Sequence, residues 1–123
     1  MDADEIAQRL FTAIEAGDID TVRSLYAPDA VVWMNVDGVE RTGADSVATL
    51  AWVTRTTTGF HYTRIRRSIT ATGFVQQHVV NLINRAGEEI SFPACIVGTV
   101  LGDHITRIEE YVDSAAAAGI GAK

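Results

Sequence analysis

One cysteine, Cys95, excludes an internal disulfide and permits a reducing compartment. Basic residues are scarce. Ten Lys and Arg against sixteen Asp and Glu leave a formal net charge of −6, the wrong sign for a nucleic-acid partner, which needs a basic surface. No apolar run approaches the length of a membrane span. The opening Met1-Asp-Ala-Asp-Glu5 is acidic, where a secretory signal would be basic and then continuously apolar. A cytoplasmic location without a membrane partner is the expectation. His61, His78 and His104 lack the paired spacing of zinc motifs, and neither a Gly-rich phosphate loop nor a Ser-His-Asp order is present. The residues therefore call for no metal, no cofactor and no covalent intermediate.

What the chain has in plenty is apolar surface. Hydrophobic residues make up 47% of 123 positions at a mean hydropathy of +0.12, enough for one domain with apolar area to spare. Spare area of this kind ends in a subunit interface or a ligand cavity.

Asp2 followed by Glu5 makes a capping-box start, and Ile6, Leu10 and Ile14 recur on one helical face until Gly17 ends it. Asp18 caps a second short helix carrying Ile19, Val22 and Leu25, which Pro28 stops. Residues 30–36 are β-prone and turn at Asp37-Gly38. Thr42 and Asp45 start a third helix with Val47, Leu50, Ala51 and Thr54 as its stripe and Trp52 to one side. From Phe60 onward everything reads as strand. Turn signals at Thr72-Gly73, Ala86-Gly87 and Gly102-Asp103 divide it into segments 60–71, 74–84, 89–101 and 104–112, an antiparallel meander.

Helices first and a meander after define an α+β domain, with helices on one face of the sheet. The boundaries expected are residues 1–113 for the domain and 114–123 for a flexible tail. Residues 90–101 are apolar on both faces, so the outer face also needs cover, and a homodimer through it is the expectation. Pro93 implies a bulge or an edge position. Arg64, Arg66 and Arg67 form one cluster, read as a solvated face or an ion-pair patch.

The last strand carries the one hint of chemistry. Strict alternation puts Ile105, Arg107, Glu109, Tyr111 and Asp113 on one face and Thr106, Ile108, Glu110 and Val112 on the other. A carboxylate on a covered face must be paired, hydrogen-bonded or functional, and burial would raise its pKa into the range of general acid–base work. Glu110 is the leading candidate, against a surface Glu at a strand end; Asp113 reads as a cap. Asn35, mid-strand among apolar residues, has several hydrogen-bonding atoms to satisfy and could orient a water or carbonyl. His78 could shuttle a proton or sit at a dimer face, and His61 has the same standing. His78 and Asn81 cannot share a face unless a bulge intervenes. Trp33, Trp52, Phe60 and Phe92 could line a pocket or simply be core. Cys95 reads as an inert thiol with a secondary place in the candidate binding set.

The pieces Ala13-Ile-Glu-Ala-Gly-Asp-Ile-Asp20, Leu25-Tyr-Ala-Pro-Asp-Ala-Val31 and Gly102-Asp-His-Ile-Thr-Arg-Ile-Glu-Glu-Tyr-Val-Asp113 resemble the NTF2-like superfamily, and within it the SnoaL-like proteins. The resemblance implies a cone-shaped roll with a pocket between helices and sheet, commonly a homodimer. Ketosteroid isomerases are similar over the first half, but Leu10 and Met34 stand where that family has its Tyr and its base. Similarity to limonene-epoxide-hydrolase-like enzymes matches Trp33 and Asn35, Val79 and Asn81, and Glu110 to that family's site, without its Arg. Similarity to scytalone-dehydratase-like members implies roles for His61 and His78, and for Tyr26 or Tyr62 if they point inward.

The expectation is a small cofactor-independent enzyme doing acid–base chemistry on a hydrophobic oxygenated molecule. Glu110, Asn35 and His78 would be catalytic, and Trp33, Trp52, Phe60, His61, Asn81 and Cys95 would contact substrate. The competing expectation is a binding or dimerisation module of the same fold without catalysis.

Overall fold

The computed structural model describes residues 1–121. Helix α1, Ala3–Ala16, starts where Asp2 accepts a hydrogen bond from the Glu5 N–H at 2.8 Å, and Asp4 and Glu5 complement the dipole of its first turn. Gly17, at φ 68°, ends it: the N–H groups of Gly17 and Asp18 reach back to the carbonyls of Ile14 and Ala13. Asp18 then caps α2, Ile19–Leu25, by accepting from the N–H and hydroxyl of Thr21. Strand β1, Tyr26–Met34, follows at once and runs through Pro28, four residues earlier than the β-prone run beginning at Ala30 suggests. Strand β2, Glu40–Thr42, leads into α3, Gly43–Thr56, which Thr42 caps through the Asp45 N–H.

The meander is β3, Thr58–Ile69; β4, Gly73–Ile83; β5, Glu89–Leu101; and β6, His104–Val112. All six strands form one sheet in the order β2-β1-β6-β5-β4-β3, antiparallel except where β1 lies parallel to β6. Alternation on β4 turns Phe74, Gln76, His78, Val80 and Leu82 inward. They meet Ile6, Ala7, Leu10, Phe11, Ala13 and Ile14 of α1 in one core. Phe74 lies across Gly98 of the neighbouring strand, leaving no room there for a Cβ.

Bulges decide which residues face inward. On β3 the pairing shifts between Thr58 and His61 and again between Thr63 and Arg66, where Gly59 and Arg64 take left-handed φ values of 66° and 53°. The second shift turns Arg67 inward. Its guanidinium reaches Asp4 at 2.8 Å, Gln8 at 2.7 Å and Gln76 at 2.7 Å, while Arg66 bonds Gln77 at 3.0 Å, so the basic cluster divides between two faces. On β6, Val100 pairs with Ile105 but Thr99 with Arg107, which leaves Thr106 as an extra residue. Ile105 is therefore fully buried together with Ile108, a correction to strict alternation; the grouping of Ile108, Glu110 and Val112 on one face stands. Pro93 causes no bulge. It lies in unbroken pairing with β4, and β6 stops opposite Ala94, so on that side Pro93 has no partner strand.

Beyond β6, Asp113 caps a short helix α4, Ser114–Ala117, through the N–H groups of Ala115 and Ala116, and a 3-10 turn continues over Ala118–Gly121. Asn84 donates to the Gly119 carbonyl at 2.9 Å, Arg85 donates to that of Gly121 at 3.1 Å, and Ala116, Ala117 and Ile120 pack on the core. Residues 114–121, in the stretch expected as a flexible tail, are a short helix and a 3-10 turn bonded to Asn84 and Arg85; the last two positions of that stretch lie outside the described residues. No described helix is long and apolar enough to cross a membrane.

Candidate functional site

Between the helices and the concave face of the sheet lies a cavity of about 230 Å³. Leu10 and Ile14 of α1 and Leu50 and Val53 of α3 form its helical wall; Val32, Met34, Val80, Phe92, Ile96, Ile108 and Val112 form its sheet wall. Phe60 and Tyr62 close the β3 side, and Ala117 and Ile120 of the C-terminal segment complete the wall. The polar groups in this lining are few: Glu110 of β6, Tyr26 of β1, Tyr62 of β3, and Ser46 and Thr49 of α3. A mostly apolar chamber with a few convergent polar groups has the general form of a small-molecule site.

Among the described residues Glu110 is the only charged side chain on that wall. The accessible part of it lines the cavity, and among the described residues no hydrogen bond or ion pair reaches its carboxylate. Burial alone raises its pKa to about 7, because a charged carboxylate without a partner is costly where water is scarce. Tyr26 and Tyr62 are pushed above the ordinary phenol range, first by burial and then by the negative charge of Glu110; a hydrogen bond with Ser46 partly offsets the effect at Tyr26. The two phenols are therefore neutral hydroxyl groups within electrostatic reach of the acid. Near pH 7 Glu110 can give or take a proton, and two O–H donors face the same space.

Tyr62 is held firmly. Its ring packs on Phe11 and Phe60 edge to face at 5.5 and 5.4 Å and lies 4.2 Å from the His78 ring, while its backbone N–H donates to Glu15 at 3.2 Å.

The candidate residues separate cleanly by location. Glu110 and Phe60 lie on the cavity wall. Asn35 does not. Its side chain donates to the Val112 carbonyl at 3.0 Å and accepts from the Val112 N–H at 2.9 Å, and its own N–H bonds the Glu110 carbonyl at 3.0 Å. It thus ties β1 to β6 beside Glu110 with its side chain off the cavity wall, a correction to the orienting role expected of it there.

His78 points inward and is 3% exposed, but it is packed beneath Tyr62 and Phe11 instead of lining the cavity. Gln76 gives its carbonyl oxygen to Arg67, so its amide N–H₂ donates to His78 Nδ1 at 3.0 Å; the proton of the neutral ring is then on Nε2, which has no partner. Burial lowers the pKa of His78 to about 4. The parity conflict on β4 is resolved: His78 faces in and Asn81 faces out, where Asn81 bonds Thr63 at 3.0 Å and Ser91 at 2.8 Å.

Four further expectations of pocket contact are corrected. Trp33 lies on the outer sheet face against Tyr111, ring centroids 5.2 Å apart. Trp52 is off the wall, with Arg85 over its ring at 5.4 Å. His61 is exposed and bonds its near neighbour Gly59 at 2.7 Å. Cys95 borders a broad open hollow of about 750 Å³ on the outer face, where Ile65, Val79, Pro93 and Tyr111 also lie. Of three wall residues with hydroxyl groups, Tyr26 and Tyr62 entered the sequence reading only through the scytalone-dehydratase-like similarity, and Ser46 was missed. Tyr62 stands two residues beyond Phe60 on one strand face, a signal available in the sequence, whereas Tyr26 reads as a helix end. Among the described residues no group of three or more His, Cys, Asp or Glu is gathered to hold a metal ion.

Helices laid over one face of a six-stranded, mostly antiparallel sheet form the cone architecture of the NTF2-like proteins. The model of the SnoaL-like domain matches residues 7–108, and the chain belongs to that family. Among solved structures it is similar to a candidate polyketide cyclase from Pseudomonas putida, at TM-score 0.84 and 19% identity over 95% of this chain and 96% of that one. It is also similar to an LEH-like epoxide hydrolase from M. tuberculosis, at TM-score 0.77 and 23% identity over 93% and 84% of the two chains. A third is a protein of ketosteroid isomerase-like fold from Catenulispora acidiphila, at TM-score 0.77 and 16% identity over 87% and 84%. No curated protein matches. At these identities the structural likeness establishes the fold, and function has to be argued from the cavity.

Proposed function

We propose that the chain is a small enzyme needing no cofactor, performing acid–base chemistry on a hydrophobic, oxygenated small molecule. The observation that carries this reading is Glu110, an acid without a partner, poised near neutral pH inside an apolar chamber. Ionised Glu110 would take a proton from a carbon beside a carbonyl, or from a hydroxyl, and return it elsewhere on the same molecule. Tyr26 and Tyr62, held neutral, would donate to the oxygen on which charge develops. Isomerisation, cyclisation and dehydration fit this set better than epoxide hydrolysis, because among the described residues no cationic side chain on the wall would polarise a leaving oxygen. With about 230 Å³ the chamber lies below the usual volume for drug-sized ligands, ~300 Å³ and above, so a compact substrate suits it better than a fused polycycle.

The test is turnover of a substrate found by screening compact ketones, enones and hydroxy-ketones. Glu110→Gln is expected to lower kcat by about 10²- to 10⁴-fold, with the wild-type rate inflecting near pH 7. A loss within a fewfold would overturn the assignment. The second reading, a binding module without catalysis, draws on the positions of Asn35 and His78. Both are off the wall, which leaves there, among the described residues, no titratable group besides Glu110 and the two raised phenols. Binding of such compounds without any turnover would favour it.

We also propose that the outer sheet face pairs with a second copy of the chain. Ile65, Ile83 and Tyr111 are 51%, 39% and 45% exposed there, beside the half-buried Val79, Cys95 and Val97. Tyr111→Glu is expected to convert a dimer to a monomer in analytical ultracentrifugation; a wild-type protein monomeric at all accessible concentrations would contradict the pairing.

A further inference from the structure

The cavity wall carries one acid, Glu110, and among the described residues no counter-charge. Two arginines of the sheet are committed elsewhere: Arg107 of β6 pairs with Glu40 and Glu109, and Arg67 of β3 with Asp4. Among the described residues no Lys, Arg or His lies on the cavity wall. The same wall carries the aromatic rings of Tyr26, Phe60, Tyr62 and Phe92, the two tyrosines within electrostatic reach of Glu110, and the remaining lining is largely aliphatic. A carboxylate in such surroundings gains most from a cation that enters from outside, because attraction between opposite charges is far stronger in a water-poor site than in bulk solvent. Alkylated ammonium ions suit it best. Their alkyl groups are at home among apolar side chains, aromatic rings attract the positive centre, and a single N–H can be donated to the acid. The net charge of −6 adds a long-range field that draws cations and repels anions.

We propose that this cavity is a binding site for a compact hydrophobic ammonium ion, a protonated tertiary or secondary amine whose N–H donates to the Glu110 carboxylate while its hydrocarbon part fills the chamber. The proposal shares with the proposed reaction the premise that Glu110 is the working acid of the cavity, and it goes beyond that reading: the ammonium ligand is bound as an ion pair, without turnover, and excludes a neutral substrate. A neutral oxygenated molecule of the same size leaves Glu110 free to stay protonated and gains only an ordinary hydrogen bond. The site therefore discriminates by charge as well as by shape, and it does so through one residue.

The probes are N,N-dimethylcyclohexylamine and, as its neutral counterpart, 1-cyclohexylethanol, each titrated into the full chain and followed by amide NMR shifts and calorimetry. At about pH 8 the amine is expected to bind at least tenfold more tightly than the alcohol, and its affinity to fall about tenfold per unit of pH once Glu110 is mostly protonated, with one proton released on binding. Glu110→Gln is expected to cost the amine tenfold or more and to flatten its pH profile. The alcohol should bind that variant within a fewfold of wild type, which shows that the chamber is intact. Equal affinities for amine and alcohol, a flat pH profile for the amine in the wild type, or no binding of the amine would each overturn the proposal. Direct titration of the Glu110 carboxyl separates the two readings. If it titrates near pH 7 while the amine shows no preference, the ammonium site is lost and the acid–base reading survives; if it titrates as an ordinary carboxylate, both are lost.

Discussion

Glu110→Gln removes a charge while keeping the shape of the side chain, and its effects on activity and on stability run in opposite directions. In the folded chain the carboxyl has a pKa of about 7 against an ordinary value of 4.5, so between those pH values the folded state holds a proton that the unfolded state has released. Stability contributed by this group is therefore present below pH 4.5 and is lost as pH rises toward 7. At ~1.4 kcal/mol per pH unit, the neutral variant should be more stable than wild type by up to about 3 kcal/mol above neutrality and indistinguishable from it in acid. His78 works the other way. Its pKa falls from 6.5 to about 4, so unfolding binds a proton in that window and stability drops as pH falls through it. In the wild type the two slopes oppose each other. Urea unfolding of Glu110→Gln from pH 4 to 8 should therefore reveal a stability that rises with pH up to about 6.5, the His78 contribution standing alone. A Glu110→Gln protein less stable than wild type at pH 8 would contradict the burial argument.

Elements position these residues, and here local sequence was informative to different degrees. The turns at Gly73, Gly87 and Gly102 and the caps at Asp2, Asp18, Thr42 and Asp113 are local signals, and each marks an element boundary in the structure. The inward face of β6 was legible for Glu110 because the run Ile108, Glu110, Val112 lies beyond the bulge. Ile105 was misplaced because a bulge arises from pairing with Val100 and Thr99, a cross-strand event that no single strand announces. The parallel contact of β1 with β6 joins residues more than 70 positions apart, as at Tyr26 and Ile105, and leaves no local trace. That contact explains Asn35. A polar residue in an apolar run signalled unmet hydrogen bonds correctly, but those bonds go to the Val112 backbone instead of a ligand. Asn35→Ala should cost about 1–3 kcal/mol by leaving the Val112 groups without their partner. It should also lower activity through kcat, since the strand bearing Glu110 loses its tie; unchanged stability in denaturant melts would refute this role.

The whole molecule turns these pieces into a chamber. Helices α1 and α3 cover the sheet, and the C-terminal segment adds Ala117 and Ile120 to the wall. The Ala- and Gly-rich composition of that segment offered little sign of docking, because its anchors, Asn84 and Arg85, belong to the loop after β4 and accept no pattern in the segment itself. Deleting residues from Ser114 onward leaves every strand in place, admits water to Glu110, and should bring its pKa down toward the ordinary carboxylate range. Carboxyl titration of the truncated chain checks this; an unchanged value would mean that the segment does not enclose the acid. The fold was readable from order and length of elements, whereas the composition of the cavity depended on which strands became neighbours.

The claim on which everything else rests is that Glu110 lies unpaired in a water-poor chamber. Its most direct test is a ¹³C NMR titration of the Glu110 side-chain carboxyl, assigned by comparison with Glu110→Gln. The expected midpoint is near pH 7. A midpoint near 4.5, the ordinary value for this carboxyl, would contradict the unpaired, buried placement of Glu110.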